Sequence, residues 1–174
     1  MKKNIIIYGL ISGLVISAFM AVNVSMCVKS GDFDSSIVIG YASMIIAFSL
    51  IFVGIKNYRD KYNDGVISFG RAFKVGLFMV LIASTIYVIV WLIEERFFFP
   101  DFIDKYTAHE INKLQSSGIS ASELAKKTKE LEQAKEMYQN PALKILMTYA
   151  EILPVGLVVT LISALILKRR TSKN

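Results

Sequence analysis

A chain of 174 residues that is 54% hydrophobic, with a mean hydropathy of +0.50, cannot fold as a soluble domain without large exposed apolar patches. The net charge of +6 does not imply a nucleic-acid partner, because the basic residues stand in short groups beside apolar runs and form no basic face. The single cysteine, Cys27, excludes an intrachain disulfide and reads as a small apolar residue near a helix end.

A spanning helix needs about 20 mostly apolar residues, and the sequence offers four such windows: 5–28, 37–55, 75–93 and 142–167. The expected fold is therefore an all-α membrane protein, one domain over 1–174 with four transmembrane helices. Lys2 and Lys3 before the first window also suit a secretory signal, but the apolar run is too long for one and lacks a small-x-small site. Met26 before Cys27 speaks against lipoprotein cleavage as well, so the first window is expected to stay as a span. In the connection after the second span, Asn63-Asp64-Gly65 is a turn signal and Ser68 is placed to cap a helix running through Phe69 and Phe73 into the third span. These phenylalanines are expected near the headgroups.

The polar stretch 94–140 reads as two helices, inserted over 95–140 between spans three and four as an extracytoplasmic helical hairpin. Ile103, Ile111 and Leu114 give the first an apolar stripe, which Ser116-Ser117-Gly118 ends. Ser120-Ala121-Ser122-Glu123 then has the form of a capping box. Leu124, Leu131, Ala134 and Tyr138 recur along the second helix until Asn140-Pro141 breaks the chain. That stripe suits packing of the two helices better than docking of a partner.

Charge sets the orientation. Lys2, Lys3, Lys56, Arg59, Lys61, Arg71, Lys74, Lys168, Arg169, Arg170 and Lys173 fall on one side, whereas in 94–140 nine acids face seven bases. Lysine and arginine in short loops mark the cytoplasm, so both termini are expected there, in the cell inner membrane. Tyr58 and Tyr62 would lie at the inner interface, with Trp91 and Phe97, Phe98 and Phe99 at the outer one.

Tyr41-Ala42-Ser43-Met44-Ile45-Ile46-Ala47-Phe48, Gly54-Ile55-Lys56-Asn57-Tyr58-Arg59-Asp60, Gly65-Val66-Ile67-Ser68-Phe69-Gly70-Arg71-Ala72-Phe73 and Glu151-Ile152-Leu153-Pro154-Val155-Gly156 carry a resemblance over nearly the whole chain. In these motifs the sequence resembles a family of small bacterial membrane proteins known only as a domain of unknown function. The resemblance implies a multi-pass membrane protein and carries no activity, ligand or catalytic residue with it.

Within the spans, Glu151 is the one acid, and an intramembrane carboxylate is a functional candidate by default. Counted from Leu167 at 1.5 Å per residue across about 30 Å of hydrocarbon, it lies roughly one turn below the outer boundary, within reach of water, of Tyr149 or of a neighbouring hydroxyl. Pro154 removes the helical donor to the carbonyl of Ala150 and is expected to kink the span. Gly9, Gly13, Ser17 and Ala21 repeat every fourth residue, as do Gly156, Thr160 and Ala164, so these rows are candidates for close helix packing within one chain or between two. Asn23, Ser84 and Thr85 are expected to bond across helices.

Signals for catalysis are missing. His109-Glu110 lacks the second histidine of a zinc-protease motif, and one histidine with one cysteine makes none of the usual structural metal sets. No phosphate loop or serine nucleophile motif occurs. The expectation is a membrane protein without enzyme activity or cofactor, acting as a small accessory or scaffold component through lipid or protein contacts, in a homo-oligomer or with a membrane partner, and without nucleic acid. The alternative is a small oligomeric transporter or channel using Glu151.

Overall fold

Each helix begins and ends where the sequence supplies local chemistry for it. The structure, a computed structural model, describes residues 2–169; Arg170 and Lys173 lie outside the described residues. The helices are α1 (Lys2–Ser30), α2 (Phe33–Tyr62), α3 (Phe69–Phe97), α4 (Phe102–Ser116), α5 (Ala121–Gln139) and α6 (Pro141–Leu167). Gly31, at φ 74°, turns the chain out of α1 while its amide bonds the Cys27 carbonyl, and Asp32 caps α2 by accepting from the Ser35 amide. Asp64 and Gly65 adopt positive φ in the following turn, and Ser68 accepts from the Arg71 amide to start α3. Asn140 accepts from the Ala142 and Leu143 amides, with Pro141 at the first turn of α6, where its missing N–H costs nothing. The helix continues through Pro154 to Leu167.

Helices α1, α2, α3 and α6 are long and apolar enough to cross a membrane, as a multi-pass membrane protein requires. They have 29, 30, 29 and 27 residues, so each exceeds an apolar core of about 30 Å at 1.5 Å per residue. The surplus explains why α2 runs past Ile55 to Tyr62 and α3 starts at Phe69. Helix α1 packs on α2 and α3, and α6 packs on the same two, which leaves α1 and α6 at opposite corners. Helices α4 and α5 follow each other between the third and fourth of these long helices and touch one another.

At the end that holds the start of α1 and the close of α6, the interior of the bundle is closely packed, and the space there is an open groove on the surface between α1 and α3, lined by Lys2, Ile5, Lys74 and Phe78. Phe48, Ile51, Ile55, Met79 and Val80 are completely buried. Gly156 lets α6 approach closely: a Cβ there would lie 2.5 Å from Val80 Cγ1 and 3.1 Å from Phe48 Cζ. Gly76 answers from α3, where a Cβ would stand 2.6 Å from Thr160 Cγ2. Gly9 and Gly13 meet Ile82 and Ile86 of α3 in the same way, and Ser17 is buried on the same row. Both rows of small residues thus face helices of their own chain, where shape matching and dispersion replace the hydrophobic effect as the source of cohesion.

Polar contacts lock this end. Ile67 and Arg169 exchange backbone hydrogen bonds of 3.1 and 2.9 Å, tying the α2–α3 turn to the close of α6. Arg59, almost wholly buried, donates through Nη1 to the Leu167 carbonyl at 3.4 Å and through Nε to Asp60 at 2.6 Å. Asn4 donates to Asn57 at 3.0 Å, and Arg71 to Asn63 at 2.7 Å.

Candidate functional site

The opposite end of the bundle is hollow. A cavity of about 440 Å³ lies among the ends of the long helices, with α4 and α5 as its roof. Ile16, Met20 and Met44 contribute apolar wall, and Tyr87 and Trp91 of α3 contribute rings. Phe102, Tyr106 and Thr107 of α4 and Leu131 and Tyr138 of α5 close the top.

Aromatic contacts and ion pairs hold the roof. Trp91 Nε1 donates to the Tyr138 hydroxyl at 2.5 Å, and its ring meets Phe102 edge-on at 5.1 Å. Phe33 at the start of α2 packs on Phe102, Tyr106 and His109 with centroids 5.9, 5.9 and 5.2 Å away. Lys113 of α4 bonds Asp34 of α2 at 2.5 Å, Lys135 of α5 bonds Asp104 of α4 at 2.7 Å, and Lys144 of α6 bonds Glu95 of α3 at 2.6 Å. Asp34 raises the Lys113 ammonium above its ordinary pKa, Asp104 does the same for Lys135, and burial pushes the Tyr138 phenol up. Trp91 is consequently buried beneath α5 and is no free interface anchor, contrary to expectation from its place at a span end. Phe97 and Phe98 do stand exposed beside it, and Tyr62 is exposed while Tyr58 is buried.

Glu151 lines this cavity. Tyr149, two residues earlier, has its hydroxyl 2.9 Å from that of Thr85 on α3. Two residues on a helix turn about 200°, so Glu151, and Met147 one turn before it, face α2, across from Ile37 and Tyr41. All four side chains are accessible, so the cavity opens sideways between α2 and α6. Of the partners that the sequence places within reach of Glu151, namely water, Tyr149 and a neighbouring hydroxyl, Tyr149 is turned instead toward Thr85. Among the described residues Glu151 has neither a hydrogen bond nor an ion pair, and Lys135, the one cation that lines the cavity with it, is held by Asp104. Pro154 is exposed on the same helix one turn further along.

Two further expectations change. Asn23 bonds the Ser36 carbonyl at 2.9 Å and Thr85 meets Tyr149, both across helices, but the buried Ser84 hydroxyl has no partner among the described residues. Metal-ligating groups also gather where the sequence spacing gave no hint: Asp34, His109 and Glu110 offer ligand atoms within 4.8 Å of one another. There Lys113 holds one Asp34 oxygen and His109 Nε2 lies 3.7 Å from the other, so the group joins α4 to α2 as a charge-paired latch.

The chain belongs to the family described as Protein of unknown function (DUF4199), whose model matches residues 7–169. No curated protein and no solved structure matches it. The DUF4199 match runs from the second turn of α1 to the residue that bridges Ile67, so the cavity, the roof and all of the packed end but the first turn of α1 lie within the family's boundaries.

Proposed function

We propose that this protein is a multi-pass bacterial inner-membrane protein with both termini in the cytoplasm, and that it works by holding an amphipathic, lipid-like molecule beneath an extracytoplasmic hairpin of α4 and α5. The cavity under that hairpin is the observation that carries the reading: its volume of about 440 Å³ is in the range of small-molecule sites, and it is mostly apolar with few polar groups. Its sideways opening between two apolar helices suits entry from lipid rather than from water. Basic residues at the packed end support the orientation, with Lys2, Lys3, Lys56, Arg59, Lys61, Arg71, Lys74, Lys168 and Arg169 at that end.

The role is one of binding, as a small accessory component in contact with lipid or a membrane partner, rather than catalysis. Transport through Glu151 is less favoured, because the fully buried Phe48, Ile51, Ile55, Met79 and Val80 fill the bundle between the cavity and the packed end. A polar route past them would require repacking of the most closely fitted part of the protein.

Gly40 gives the test. It lines the cavity, and a Cβ added there meets only Asn23 Nδ2, at 3.6 Å. Gly40→Leu should fill the space without breaking the bundle. Binding of a nitroxide-labelled alkyl probe, followed by quenching of Trp91, the only tryptophan, should weaken at least tenfold while thermal unfolding stays close to wild type. Equal quenching in both proteins would remove the cavity as the binding site.

A further inference from the structure

We propose that the cavity takes a monovalent organic cation with an apolar body, its charged group beside Glu151 and its body among the aromatic rings of the walls and roof. This deepens the binding function proposed above and rests on it. The argument begins with charge balance. Three lysines bridge one helix to another at this end of the bundle, and each is held by an acid: Lys113 by Asp34, Lys135 by Asp104, Lys144 by Glu95. Of these, only Lys135 lines the cavity, and its ammonium is already held. Glu151 is the one carboxylate on the cavity wall and has no partner among the described residues. A carboxylate set among apolar side chains about one turn inside the membrane is compensated by water from the boundary, by a proton or by a cation from outside the chain, and a cation held there gains from the rings around it.

The surroundings favour an organic cation over a metal ion. Glu151 is not among the side chains that converge as metal ligands, and hard divalent cations need six or more oxygens. Around the carboxylate stand rings instead. Tyr41, Tyr87, Trp91, Tyr106 and Tyr138 line the same cavity as Glu151. Ring faces attract alkylammonium and guanidinium groups, and most strongly where water is excluded. The lateral opening at Tyr41 and Met147 gives an apolar tail a way out toward lipid. One lining carboxylate permits one positive charge; among the described residues Glu94, another acid without a partner, does not line the cavity.

The test uses the full chain in nanodiscs of zwitterionic lipid and three nitroxide-labelled probes with the same twelve-carbon chain, ending in trimethylammonium, hydroxyl or sulfate. Quenching of Trp91 reads occupancy. Wild type should bind the ammonium probe at least tenfold more tightly than the hydroxyl probe, with the sulfate probe weakest. Glu151→Gln should reduce ammonium binding to the level of the hydroxyl probe and leave the hydroxyl probe unchanged, and Glu151→Asp should keep most of the preference. Equal binding of the ammonium and hydroxyl probes by wild type, a result that needs no variant, would overturn the cation while leaving the cavity as an apolar site. So would a preference that survives in a folded Glu151→Gln. If no probe quenches wild type more than Gly40→Leu, the cavity reading fails and the cation with it.

Discussion

The two ends of the bundle solve the same packing problem in opposite ways. At the packed end, Gly76, Gly156 and Gly54 let side chains of neighbouring helices reach the backbone, and buried Arg59 and the Ile67–Arg169 bridge close the frame. Toward α4 and α5 the long helices carry large rings and longer side chains on their inner faces, and they are propped apart by a roof that rests on them through Trp91, Phe33 and the Lys113–Asp34 pair. A gap of this kind forfeits dispersion contacts and is costly unless something fills it. The comparison teaches that the rigid end supplies the stability with which the hollow end can be kept open.

The sharpest way to break that contrast is to exchange a glycine at each end. Gly156→Leu must push Val80 and Phe48 apart, and overpacking of this severity should cost about 3 kcal/mol or more. The expected outcome is loss of folded protein in detergent by size-exclusion chromatography, whereas Gly40→Leu stays folded. Similar behaviour of the two would show that the ends do not differ in tightness. Arg59→Met comes next. It leaves the Leu167 carbonyl without its side-chain donor in a buried setting, for a loss of about 2 kcal/mol in thermal or denaturant unfolding. An unchanged midpoint would remove Arg59 from the frame.

At the roof, Tyr138→Phe deprives Trp91 Nε1 of its acceptor, and an orphaned buried donor costs about 1 to 2 kcal/mol. That loss should be local. Amide exchange should quicken in α4 and α5 and stay unchanged around Ile67, while equal acceleration at both ends would mean that the roof and the frame unfold together. Glu151 sharpens the same division: with no partner to orphan, both Glu151→Gln and Glu151→Leu should leave the midpoint close to wild type. A large drop for leucine alone would instead reveal the structural contact anticipated from sequence.

What could be read from sequence follows from how far apart the interacting residues are. Ser68 and Ser120 announce their helices because a cap bonds an amide three residues away, while Asn140, legible as part of a chain break, proves to cap α6 through the Ala142 amide as well. Even so, Ser120-Ala121-Ser122-Glu123 gives only half a capping box: Ser120 accepts from the Glu123 amide, and the Glu123 carboxylate lies 3.4 Å from Lys127. The four apolar windows were legible for the same reason, since length and hydropathy are local. Trp91 was not, because a tryptophan at a span end looks the same whether it faces headgroups or lies beneath a helix 47 residues later in the chain. Nor was the setting of Glu151: the cavity wall is assembled from all six helices, and no spacing within one helix reveals that its neighbours leave a gap.

The smallest effect is expected at the latch between α2 and α4. Lys113 and Asp34 are about half exposed, so solvent screens the pair and each side chain loses freedom in making it. Asp34 raises the Lys113 pKa, so the pair is fully present below lysine's ordinary value of about 10.4 and fades as pH rises through the higher folded value. Between pH 7 and 9 the roof should therefore keep the same amide protection once exchange is corrected for its intrinsic pH dependence. Above that raised folded value, loss of the lysine charge should loosen α4 before α5, because Phe33 then holds α4 to α2 without the Lys113 ion pair while Trp91 still holds Tyr138. Lys113→Met should remove this alkaline step and leave neutral-pH unfolding unchanged. A large stability loss for Lys113→Met at pH 7 would show that the roof hangs on its charges rather than on its rings.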